Sequence, residues 1–142
     1  MADFAVVLLH PAARVPARGS AGAAGYDLSA SEDASVPARG RAAIPTGIAI
    51  RVPPDHYARV APRSGLAVKG MAVGAGVVDS DYTGEVKVVL FNHTDDVFVV
   101  RTGDRVAQLV FERISTPDLR VVAAGSFEAT MRGAAGFGST GV

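Results

Sequence analysis

The chain has 142 residues, enough for one domain with a real hydrophobic core. Its 14 basic and 14 acidic residues cancel, so it carries no basic footprint for duplex nucleic acid. It has no cysteine, which excludes disulfides, zinc–thiolate sites and a thiol nucleophile. The opening MADFAVVLLH holds an apolar run too short to cross a bilayer, with no basic stretch before it. Neither a signal peptide nor a membrane helix is expected, and a soluble, intracellular, most simply cytoplasmic protein is.

Residues 4–9 (FAVVLL) read as a first strand, followed by 47–53 (GIAIRVP), 56–62 (HYARVAP), 85–92 (EVKVVLFN), 97–100 (VFVV) and 105–114 (RVAQLVFERI). In the second of these, Ile48, Ile50 and Val52 share one face while Arg51 takes the other. Residues 63–70 (RSGLAVKG) suit a single helical turn, and 124–132 form a connector. Sixteen glycines and eight prolines punctuate the chain, with no long helical periodicity and no solenoid repeat. The expectation is an all-β fold: sandwich, barrel or jelly roll.

Five segments mix glycine with functional polar residues. In AGYDLSA (24–30), Gly25 suits a turn that Asp27 caps or solvates. In APRSGLA (61–67), Arg63, Ser64 and Gly65 supply a donor fork, a hydroxyl and an open backbone N–H. That is an anion cradle if the turn aims them inward, and an exposed turn if not. GAGVVDSDYTGEVKVVL (74–90) reads as a β-hairpin with acids near its tip. Pairing of 76–78 with 85–87 would set Lys87 opposite Gly76. Asp81 is a turn residue, whereas Asp79 is placed to face a cleft, with Tyr82 one step around the turn; Asp79 is a candidate general base. In GDRVAQLV (103–110), Gln108 sits among apolar neighbours and needs partners, while Arg105 suits an ion pair with a nearby acid. The segment RGAAGFGSTGV (132–142) is glycine-rich, yet sets Phe137 beside Arg132, Ser139 and Thr140, all able to meet phosphate oxygens.

In this order and spacing the five segments resemble the motifs of the trimeric dUTPases, with the VGAGVVD wording similar to the eukaryotic and poxviral branch. The resemblance spans nearly the whole chain. It implies a jelly-roll core over residues 1–124 and a flexible C-terminal arm over 125–142. It implies a homotrimer with active sites shared between subunits, no nucleic-acid or membrane partner, and Mg²⁺-dependent hydrolysis of dUTP to dUMP and pyrophosphate. That reaction clears dUTP from the nucleotide pool and supplies dUMP for thymidylate synthesis. By the same resemblance Asp79 deprotonates the attacking water, and Tyr82 stacks beneath the deoxyribose. Gly76, Val77, Val78 and Lys87 read uracil, while Arg63, Ser64, Gly65 and Gln108 serve the phosphates and their water. Asp27 lies close to the metal's water shell, so that no side chain ligates Mg²⁺ directly. In the arm, Arg132 takes the γ-phosphate, Phe137 covers the base, and Gly138, Ser139 and Thr140 close on the phosphates.

Two positions depart from the family pattern: Thr83 stands where arginine is common, and Ala134-Ala135 where a polar residue or glycine is usual. Neither removes a candidate catalytic group. No His/Asp/Glu set has dedicated metal-ligand spacing, as expected if the triphosphate and water hold the ion. The three histidines, His10, His56 and His93, lie outside the motifs. The competing readings are a dCTP deaminase of the same fold and a non-catalytic, nucleotide-sensing regulatory trimer. The first would release ammonia, and the second has no use for Asp79.

Overall fold

A computed structural model describes residues 3–137, and nearly all its regular structure is antiparallel strand. The strands are β1 (Ala5–Leu8), β2 (Tyr26–Ser29), β3 (Ala34–Val36), β4 (Arg41–Arg51), β5 (His56–Ala61), β6 (Met71–Gly74), β7 (Val77–Val78), β8 (Glu85–Asn92), β9 (Phe98–Val100) and β10 (Arg105–Arg113). Among the described residues the single helix is α1 (Ser64–Val68), which follows β5. One sheet has the order β1-β4-β8-β6, a second β2-β10-β5-β7, and β3 pairs with β9 in a ribbon. This is the expected all-β, jelly-roll-like sandwich.

Period-two alternation builds the core. Along β8, Val86, Val88 and Leu90 are buried while Lys87 between them is exposed. Ile44, Ile48 and Ile50 of β4 add to that layer, and Leu28, Val60, Val106 and Leu109 come from the other sheet. Asn92, at the end of β8, is buried and fully bonded. Its amide donates to the Val36 and Asp96 carbonyls, and its Oδ1 accepts from the Thr94 N–H and hydroxyl. It thereby pins the β8–β9 turn.

Three expectations change. Residues 24–30 are not simply a turn: Tyr26–Ser29 form β2, with Asp27 paired opposite Gln108 of β10. The strand expected at 47–53 begins at Arg41 and runs through Pro45, which stays in register with Lys87 because its carbonyl side, where the N–H is missing, faces away from β8. Pro45 offers no N–H, but its carbonyl accepts from the Ser31 N–H at 2.9 Å. The register shift lies between Pro45 and Ala49, where Gly47 takes φ +67° and its N–H meets Glu85 Oε1 at 3.0 Å. Finally, residues 76–78 do not pair with 85–87. Val77 and Val78 pair instead with Arg59 and Ala58 of β5, in the opposite sheet. The reason lies two residues earlier: Ala75 holds φ +48°, an uncommon conformation for alanine, and this kink carries the chain from one sheet to the other.

β10 ends at Arg113, and the Ile114 N–H still bonds the Asp55 carbonyl at 2.9 Å. From there to residue 137 the chain has no strand or helix and exposes Leu119, Val121, Phe127 and Met131.

Candidate active site

The kink at Ala75 leaves a hairpin that is closed at its base and open toward its tip. β6 and β8 pair from Met71↔Asn92 to Gly74↔Val89, and the ladder stops there. The same register continued would set Gly76 opposite Lys87. Instead the strands diverge around a cavity of about 240 Å³ lined by Val77, Val78, Asp79, Tyr82, Lys87 and Val89, among others. One edge of β7 is taken up by β5, and its other edge faces this space. Gly76 turns toward β5: its carbonyl accepts the Val60 N–H at 2.8 Å, and a Cβ would fall 2.7 Å from the Val60 carbonyl oxygen. Only glycine permits that approach. Around the tip the Tyr82 N–H reaches the Asp79 carbonyl at 3.2 Å, and the Tyr82 hydroxyl donates to the Glu85 carbonyl at 2.8 Å. Asp79 is exposed, with its side chain at the cavity wall.

A second cluster gathers where β2 and β10 meet the end of β5. Arg63 Nε donates to Asp27 Oδ1 at 3.0 Å, and Arg105 Nη1 to Asp27 Oδ2 at 3.2 Å. Gln108 donates to the Pro62 carbonyl at 3.0 Å. Gly25 is buried against that glutamine, where a Cβ would lie 2.5 Å from Oε1. The sequence marks Gly25 as a turn residue; its use here is close approach, and only the pairing of β2 with β10 reveals it. Ser64 and Gly65 are exposed in the first turn of α1, so their N–H groups have no partner within the helix. Arg105 therefore makes its expected ion pair, with Asp27, and two cations flank one partly buried carboxylate.

The chain does not bring the two clusters together. Gln108 lies opposite Ala61 of β5, whereas the β5–β7 register continued sets Asp79 opposite Tyr57. Four residues of strand separate those positions, about 13 Å along the axis. The hairpin cavity shares no residue with the cavities beside Arg63 and beside Asp27. The arm residues are placed apart from both: Arg132 is exposed and bonds the Ala135 carbonyl at 2.8 Å, and Phe137 is fully exposed. Gly138, Ser139 and Thr140 lie outside the described residues.

The dUTPase family model matches residues 12–141. The chain belongs to the dUTPase family. It is 54% identical to the deoxyuridine 5′-triphosphate nucleotidohydrolase of Paramecium bursaria Chlorella virus 1 over the full length of both chains. It is 56% identical to that of Saccharomyces cerevisiae, over 96% of this chain and 92% of the relative. Among solved structures, a point mutant of the Staphylococcus bacteriophage 80alpha dUTPase with dUpNHpp aligns at TM-score 0.90 and 28% identity, covering all of both chains. A dUTPase from phage phi11 of S. aureus, described as coordinating a structural Mg(II) ion, aligns at TM-score 0.81 and 25% identity. That alignment covers 89% of this chain and 100% of the phage chain. The eukaryotic and viral relatives agree with the branch suggested by the VGAGVVD wording.

Proposed function

We propose that this chain hydrolyses dUTP to dUMP and pyrophosphate, with Mg²⁺, in a trimer whose sites are shared between subunits. The observation that carries this reading is the opened hairpin. β7 and β8 leave their facing edges unpaired around a cavity with Asp79 and Tyr82 at its wall. A planar pyrimidine inserted there would take up the backbone hydrogen bonds that a closed ladder would have made. The small apolar wall of Val77, Val78 and Val89 leaves room for little more than a base and its sugar. The bound base places the sugar against Tyr82, where a 2′-hydroxyl would crowd the ring.

Asp79 then holds a water by accepting its hydrogen bond. As the water oxygen attacks the α-phosphorus, the proton passes to the carboxylate. The bond from that phosphorus to the bridging oxygen breaks, and pyrophosphate leaves with its electron pair. Arg63 balances phosphate charge, with Ser64 and Gly65 donating beside it, and Gln108 orders the phosphate and water network. The Asp27 cluster suits a hydrated ion riding on the triphosphate. It combines one partly exposed carboxylate with arginines for the phosphates, and Mg²⁺ keeps most of its waters. When bound, the ion would neutralise charge on the phosphate oxygens.

The separation of the Asp79 and Arg63 clusters supports the shared site: a substrate whose base lies at one chain's hairpin can present its phosphates to a neighbour's Arg63. The arm, residues 125–142 beyond a core of 1–124, would complete the site with Arg132, Phe137, Gly138, Ser139 and Thr140.

Pyrophosphate release measured with dUTP, dCTP, dTTP and UTP, with and without Mg²⁺, tests the reading. Release from dUTP alone, dependent on Mg²⁺, is expected. Absence of release from dUTP, or ammonia release from dCTP, would overturn it. Sedimentation giving a fully active monomer would overturn the shared site.

A further inference from the structure

We infer that Gly84 is a positioning residue for the Tyr82 ring, and so for the choice between deoxyribose and ribose; this rests on the sugar-stacking reading of Tyr82. Tyr82 is 46% exposed and therefore not held by the core. Two contacts at the hairpin turn hold it instead. Its hydroxyl donates to the Glu85 carbonyl at 2.8 Å, and its ring lies against the bare Cα of Gly84. A Cβ on Gly84 would fall 2.7 Å from Oη, 2.8 Å from Cζ and 3.1 Å from Cε2. The first two distances are shorter than real Cβ contacts, so an alanine here and the present ring position exclude each other.

The backbone does not explain this glycine. Gly84 is not among the residues with positive φ, and it sits in an exposed turn, so its φ does not call for glycine. What the position lacks is a side chain, and the ring uses that space. Because the ring is the far end of an exposed, flexible side chain, it would yield rather than the turn. Moving it strips the bond to Glu85 and shifts one wall of the cavity that also holds Asp79 and Lys87. Gly84 itself is not part of that wall, so the effect reaches the sugar only through Tyr82.

The test is a double-mutant cycle read as the dUTP-to-UTP ratio of kcat/KM. Gly84→Ala should lower that ratio about five- to tenfold, mostly through a higher KM for dUTP. In a Tyr82→Ala background, which lowers the ratio by itself, Gly84→Ala should add nothing. An unchanged ratio, or the same factor lost in both backgrounds, overturns the inference. If Gly84→Ala does not fold, a measurement on the parent protein keeps the inference testable. A second readout needs no turnover: ring current from Tyr82 should shift the Gly84 Hα resonances upfield, and Tyr82→Ala should abolish the shift. Unshifted Hα resonances in the parent protein would sink the positioning claim even if dUTP is hydrolysed. A parent protein that shows the shift but does not hydrolyse dUTP would sink the functional reading alone.

Discussion

Strand β8 has two edges, and they have opposite fates. Toward β4 it is paired from Phe91 to Glu85, with the bulge at Gly47 capped by the Glu85 carboxylate and Thr46 donating to the Val86 carbonyl. Toward β6 it is paired only from Asn92 to Val89, after which the neighbouring strand leaves for the other sheet. The closed edge belongs to a layer whose side chains are buried, and the open edge belongs to a cavity. One strand can do both because its alternation sends Val86, Val88 and Leu90 inward regardless of which backbone edge is satisfied. On the proposed function, stability and recognition use different atoms of the same residues, and substitutions should separate them.

The largest expected separation is Asp79→Asn. The amide keeps the shape of the cavity wall but cannot accept the water's proton, so turnover should fall about a thousandfold or more. The thermal midpoint and dUTP affinity should stay near the parent's. Single-turnover kinetics beside calorimetry would check this, and turnover close to the parent's would remove Asp79 from the role of base. The converse substitution is Leu90→Ala, which empties a fully buried position. It should cost about 3 kcal/mol in equilibrium unfolding while leaving the residual folded protein active.

Deleting residues 132–142 should lower activity about tenfold or more with little change in thermal midpoint, because its described part, residues 132–137, buries almost no apolar surface. A truncated protein with normal turnover would leave the arm no part in closing the site.

The smallest effect is the acid limb of stability, which belongs to neither edge of β8. Asp33 is held below the ordinary carboxylate value by the Thr102 N–H, then the Thr102 hydroxyl and Arg101. Asp95 is held down by Arg39, and Glu112 by the Tyr57 hydroxyl and then Arg59. Each is depressed in the folded state, so its contribution is present above its unfolded pKa and is lost as pH falls through the lower folded value. Stability should therefore decline below about pH 4. Glu112→Gln should flatten part of that decline in urea melts between pH 6 and 2.5 without altering turnover at neutral pH. An unchanged acid slope would show that the Tyr57–Glu112–Arg59 cluster contributes nothing.

Much of this protein is legible from residue order alone. The strand at 85–92 appears with its expected ends, because a valine-rich apolar run bounded by the Gly84 turn and the polar Asn92-His93 reads as strand. The helical turn after Pro62 and the ion-pairing role of Arg105 are also local readings that hold. β3 and β6 pass unseen because three or four residues carry too little periodicity, and β4 is cut short at Pro45 because a proline reads as a stop. The resemblance names the site residues, but it does not say which atoms of Gly25 or Gly84 matter. That depends on Gln108 and Tyr82 arriving beside them.

What the residue order determined by itself is the alternation that makes an all-β sandwich and the five polar-glycine segments that mark the family. What only the tertiary structure decided is where two valines go. Val77 and Val78 have equal local reason to pair with β8, their neighbour across the turn, or with any other free edge. β5 offers that edge some twenty residues away in sequence, and the left-handed Ala75 redirects the strand to meet it. Pairing partners are chosen by non-local hydrogen bonds and burial, which no short window of sequence contains, and that choice is what leaves the hairpin open.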